Sequence, residues 1–145
     1  MTSDLVVIDA SVALKAVLPN PQQACCLVLV QTFVEVQPVA PALWTYETTS
    51  AIAKAVYFRE ITEKEARLAL EKLDGLGVRL FIADTEQNEA AFEWTLKLKR
   101  ASAYDSYYLA LAQALECDFW TADKHLFNSL QEAHIGWLHW IEELT

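Results

Sequence analysis

Residues 5–14 read LVVIDASVAL, a continuous apolar run broken once, by the carboxylate of Asp9. A strand with apolar residues at successive positions, rather than alternating ones, is buried on both faces, as in the middle of a parallel sheet. Such a strand carries its last residue to the carboxyl edge of the sheet, where α/β proteins bind their ligands. Asp9 is that last residue. Taken alone, it is explained equally well as the cap of the helix that follows.

Working outward, the chain alternates short β-like runs with longer helical segments. Strands are expected at 5–9, 35–39, 78–83, 117–121 and 135–140, and helices at 11–18, 21–34, 42–58, 62–73, 85–100, 104–116 and 124–131. This order predicts an α/β fold with a mostly parallel central sheet, formed by a single domain over residues 1–145. In TEKE (residues 62–65), Thr62 and Glu65 form a capping box. In TEQN (residues 85–88), Thr85 reads as the cap and Glu86 complements the positive helix end. CDFWTAD (residues 117–123) repeats the logic of the first strand and brings Thr121 and Asp123 to the same edge if the two strands are parallel.

The 145 residues are 54% apolar and 21% charged, with no repeat, low-complexity tract or Gly/Pro/Ser linker. This is the composition of an ordered globular chain. No apolar run approaches the roughly 20 residues that span a bilayer, and the first residues lack the pattern of a signal peptide, so a cytoplasmic protein with no membrane partner is expected. The three cysteines are expected to be reduced and structural.

Two further acids stand out against their surroundings. Glu47 is the only charge in ALWTYETTSAIA (residues 42–53), and Asp105 is the only charge between Arg100 and Glu116. Neither has an opposite charge four residues away, and Leu109 and Ala112 share the helical face of Asp105, which should be shielded in part. Each acid has an ordinary explanation: Asp9 and Asp123 as helix caps, Glu47 and Asp105 as first-turn residues that complement the helix dipole. Together they suit a site, because strand ends and helix starts meet at one edge of a parallel sheet.

Converging carboxylates require a cation. Two charges about 5 Å apart repel by roughly 3 kcal/mol at an effective dielectric near 20. An all-oxygen set suits Mg2+, or Mn2+ as a substitute, with several waters retained. Zinc is disfavoured, since His125, His134 and His139 lack ligand spacing. A hard divalent ion can activate water and stabilise the charge that develops on a phosphodiester, so no protein nucleophile is needed. Ser11 and Thr121 are polar residues placed to support the carboxylates, or to serve as turn and cap residues.

VVIDASVAL, PALWTYETTSAI, AYDSYYLALA and TADKHL, in this order and spread over nearly the whole chain, resemble the motifs of the PIN-domain ribonucleases, and within them the VapC-like toxins of toxin-antitoxin pairs. The resemblance implies a three-layer α/β/α sandwich and Mg2+-dependent endonucleolytic cleavage of RNA. It makes Asp9, Glu47, Asp105 and Asp123 the catalytic, metal-binding acids, with Ser11 and Thr121 in support. It also implies a homodimer, a prokaryotic cytoplasmic setting and a cognate antitoxin protein that blocks the site.

A net charge of −9 runs against that resemblance, since phosphate affinity normally rests on a basic surface. RNA contact is therefore expected to depend on a local channel, with Lys97, Lys99, Arg100 and Lys124 as the leading candidates and Lys54 and Arg59 beside them. The first three belong to KLKR, which reads as the charged end of a helix. Trp44, Tyr46, Tyr104, Tyr107 and Tyr108 flank the acids and are expected mostly as core or dimer contacts, with base stacking as the other use. The alternative function is a noncatalytic PIN-like module that binds RNA or protein. A phosphotransferase with Asp9 as nucleophile is disfavoured because Ser11 stands where a second Asp is usual.

Overall fold

The computed structural model describes residues 4–144. Its centre is one sheet of parallel strands in the order β3-β2-β1-β4-β5. The strands are β1 (Leu5–Ile8), β2 (Gln37–Pro41), β3 (Arg79–Phe81), β4 (Asp118–Thr121) and β5 (Leu138–Trp140). The helices are α1 (Ala10–Val17), α2 (Gln23–Gln31), α3 (Leu43–Tyr57), α4 (Glu63–Gly75), α5 (Thr85–Lys97), α6 (Tyr104–Leu115) and α7 (Lys124–Ser129).

The apolar run identified first is the central strand. Val6, Val7 and Ile8 are all buried, so both faces of β1 are covered by helices and the fold is an α/β sandwich. Helix α6 packs over β1, β2 and β4, while α1 meets β4 and α3 meets β2. Val12, Tyr108, Leu109, Leu111 and Phe119 fill the core between these layers, with the Tyr108 and Phe119 rings stacked at 5.9 Å. Among the described residues no helix is long and apolar enough to cross a membrane. Cys25, Cys26 and Cys117 are free thiols, and burial raises Cys26 to about 12 and Cys117 to about 11.

Several boundaries differ from the sequence reading, for local reasons. The second strand begins at Gln37 rather than Glu35, because the chain after α2 continues as a 3-10 turn over Thr32–Val34 before it extends. The last strand is shortened to Leu138–Trp140 by a 3-10 turn at Gln131–Ala133 and a left-handed His134. Asp84, not Thr85, caps α5: its side chain accepts from the Gln87 N–H at 2.8 Å. The Thr62–Glu65 capping box is present, and the left-handed residue beyond α4 is Gly77. Helix α5 ends at Lys97 rather than Arg100, since Lys99 turns left-handed (φ 54°).

Candidate active site

Parallel pairing of β1 with β4 sets Ile8 beside Trp120, so the next residues, Asp9 and Thr121, emerge side by side at the carboxyl edge. Asp9 is buried, and its side chain accepts from Ser11 Oγ (2.5 Å), the Val12 N–H (3.1 Å) and Thr121 Oγ1 (2.5 Å). The contact with Val12 makes Asp9 the cap of α1. Burial pushes its carboxyl up to about 6, against the opposing effect of these three bonds and with help from the nearby charge of Asp123.

Asp123 is exposed at the start of α7, which it caps by accepting from the Leu126 N–H at 3.1 Å. Its own N–H donates to Thr121 Oγ1 at 3.0 Å. Ser11 does the equivalent work one residue earlier, accepting from the Ala122 N–H at 3.0 Å. Both polar residues singled out beside the acids therefore bond Asp9 and the β4–α7 turn at once.

Glu47 lies a full turn into α3, so it is not a first-turn residue that offsets the helix dipole. It is half-buried and accepts from the Tyr108 hydroxyl at 2.6 Å. Burial raises its carboxyl, the Tyr108 bond opposes the rise, and the Asp105 charge adds to it. The phenol of Tyr108 is driven upward as well, by burial first and then by Glu47.

Asp105 is in the first turn of α6 and partly shielded. It is not unpaired, as its sequence neighbourhood indicated: Arg100 Nη2 donates to its Oδ2 at 3.0 Å. Burial raises the Asp105 carboxyl, Arg100 and His125 pull it down, and Asp123 pushes it up. The four acids are thus linked in charge, with Asp123 opposing ionisation of both Asp9 and Asp105, and Asp105 opposing that of Glu47.

The basic residues divide. Lys97, Lys99, Lys124, Lys54 and Arg59 are exposed, Lys97 lying over the Trp94 ring at 5.0 Å. Arg100 is drawn off the helix end into its ion pair. Of the aromatics, Trp44 and Tyr108 are core residues, Tyr107 bonds Asn88 at 2.8 Å, and Tyr46 and Tyr104 are exposed.

The PIN-domain family model matches residues 7–136 of this sequence. The chain belongs to the PIN-domain family. Comparison with curated proteins yields no match. PIN domains are generally nucleases and typically use divalent metals, and membership points to RNA as the binding partner.

In this PIN domain the acids fit a hard divalent ion in kind: four carboxylates, no thiolate or imidazole among them, each of Asp9, Glu47 and Asp105 held above its ordinary range where added positive charge would relieve it. They are not a closed cage. Among the described residues no three His, Cys, Asp or Glu side chains are gathered as a ready-made metal set. An ion of the Mg2+ type is commonly held by one or two carboxylates and its own waters, so a closed cage is not required of the fold.

Two further groups hold the site together. Tyr108 stands three residues after Asp105 on the same helical face, and a buried tyrosine needs a partner for its hydroxyl, but no local pattern points to Glu47 as that partner. Lys15 of α1 donates to the Ala122 carbonyl at 2.8 Å and to Gln22 Oε1. Ala122 is 107 positions away in sequence, and no local pattern signals that contact.

Proposed function

We propose that this PIN domain is a Mg2+-dependent endoribonuclease, the VapC-like toxin of a toxin-antitoxin pair, which hydrolyses RNA phosphodiesters at the edge where Asp9, Glu47, Asp105 and Asp123 lie. The observation that carries the reading is the shared edge of these acids, a concentration of like charge that serves a cation better than the fold: Asp9 and the Asp123 N–H meet at Thr121 Oγ1, and Glu47 is bonded to Tyr108, one turn from Asp105 on α6. Bound there, Mg2+, or Mn2+ in its place, would supply an activated water and stabilise the charge developing on the phosphate.

The rest is work for the chain itself. Ser11, Thr121 and the Val12 N–H hold the Asp9 carboxylate in one orientation, and Tyr108 holds Glu47 against α6. Asp123 presents its exposed carboxylate from a turn bonded to Ser11 and Thr121. Lys97, Lys99 and Lys124 are the exposed cations offered to the RNA backbone, and Tyr104 the exposed aromatic next to Asp105. The same reading includes a homodimer, a cognate antitoxin that sets basic side chains against the acids, and action in a prokaryotic cytoplasm.

A second reading, a noncatalytic module that binds RNA or protein, is favoured by the ordinary bonds the acids already make: Asp9 and Asp123 cap helices, and Asp105 has an ion pair. Incubating the purified protein with total RNA, with and without Mg2+ or Mn2+, and mapping the cut ends separates the two. Discrete new ends that require the metal support the ribonuclease; RNA binding without new ends supports the module.

A further inference from the structure

Arg100 is a cation set among acids. The left-handed Lys99 (φ 54°) turns the chain back after α5, so that Arg100 reaches two elements at once. Its Nη2 donates to Asp105 Oδ2 at 3.0 Å and its Nη1 to Ser129 Oγ at 2.9 Å. The paired side chains are 25% and 34% exposed, so the pair is screened by solvent less than a fully exposed one. Ser129 is fixed in turn: its hydroxyl donates to the Leu126 carbonyl at 2.7 Å, and the Leu126 N–H donates to Asp123 Oδ1. One guanidinium therefore joins the first turn of α6 to the far end of α7, the helix that Asp123 caps.

Resting on the four-acid reading above, we propose that Arg100 is a resident counter-cation, which neutralises Asp105 in the metal-free protein and must be displaced from it when a divalent ion binds. An arginine cannot surrender its proton at any physiological pH, so its charge leaves the acid only by movement of the side chain. The side chain has somewhere to stay, because the bond to Ser129 does not involve Asp105. This accounts for a guanidinium held on an acid of the site, and anchored a second time on Ser129, in a chain with net charge −9. Arg100 is in this account a positioning residue that sets the affinity of the site for the ion. It is not a free contact for RNA in the metal-free state.

The test is calorimetric titration of Mn2+ into chelator-stripped protein, which reads binding without any turnover. Arg100→Gln is expected to bind Mn2+ about three- to tenfold tighter than the native chain, the range of a partly shielded ion pair removed as competitor. Arg100→Lys, which keeps a charge near Asp105, should stay within about twofold of the native affinity. Ser129→Ala leaves the ion pair but removes the second hold, and should keep Mn2+ affinity at or below the native value. Unchanged or weaker binding by Arg100→Gln, with Asp105→Asn still weakening the site, would overturn the inference and leave the four-acid reading standing. If Asp105→Asn binds Mn2+ as the native chain does, the four-acid reading falls and the inference falls with it.

Discussion

Thr121 Oγ1 donates to Asp9 Oδ2 at 2.5 Å across 112 positions of sequence, and the same oxygen accepts from the Asp123 N–H at 3.0 Å. One hydroxyl thereby ties the central strand, its neighbour β4 and the turn that bears Asp123. The bond also locates a cost. Asp9 is buried, and the loss of water outweighs the three hydrogen bonds that its carboxylate accepts.

That cost has a definite pH dependence. The folded pKa of Asp9, about 6, lies above its unfolded value near 3.8. Between these two values the folded state holds the proton more tightly, so the contribution to stability is lost as pH rises through the window, and the penalty is complete above it. Asp9→Asn should therefore be more stable than the native chain by about 1–3 kcal/mol near pH 7.5 without metal, the advantage shrinking toward zero near pH 4. Urea denaturation across that range checks it. A less stable Asn variant at the higher pH would show that the three hydrogen bonds to the carboxylate outweigh its burial.

Tyr108→Phe removes a single oxygen, the one that holds Glu47 at 2.6 Å. Stability should fall by about 1.5–3 kcal/mol, the worth of a hydrogen bond to a charged group. RNA cleavage should fall too, because Glu47 loses its fixed orientation. A variant with the lowered urea midpoint but native cleavage would separate Glu47 from the chemistry.

Lys15→Met keeps most of the apolar stem and loses the bond to the Ala122 carbonyl, one half of a grip whose other half is the Ala122 N–H on Ser11 Oγ. Amide exchange at Asp123 and Leu126 should quicken, with a stability loss of about 1–2 kcal/mol. Unaltered exchange at those two amides would show that Ser11 and Thr121 hold the turn without Lys15.

Much of this arrangement was legible in the sequence. LVVID predicted a strand covered on both faces, and Val6, Val7 and Ile8 are buried. The Thr62–Glu65 box was readable because a cap is a local bond with a fixed spacing. Asp84 and Thr85 are adjacent residues that can both cap, Asp the better of the two, and the extended backbone at Asp84 makes it the cap. Arg100 lies beyond the helix end that KLKR suggests for a related reason: KLKR continues a helical pattern, and the left-handed turn at Lys99 that redirects the arginine has no glycine to announce it. The grip of Lys15 on Ala122 and the bond from Tyr108 to Glu47 join distant segments, and only the packing of α1 and α6 against the sheet brings those groups together.

In the proposed function the four acids cleave RNA only with the help of a divalent ion. Its most direct measurement is the cleavage rate of one mapped RNA by chelator-stripped protein, before and after Mg2+ is restored, in the native chain and in Asp9→Asn, Glu47→Gln, Asp105→Asn and Asp123→Asn, each checked for folding by circular dichroism. Cleavage is expected only with Mg2+, with a loss of about a hundredfold or more in each folded variant. Cleavage that persists in the chelator, or that survives intact in the Asp9 and Asp105 variants, would contradict it.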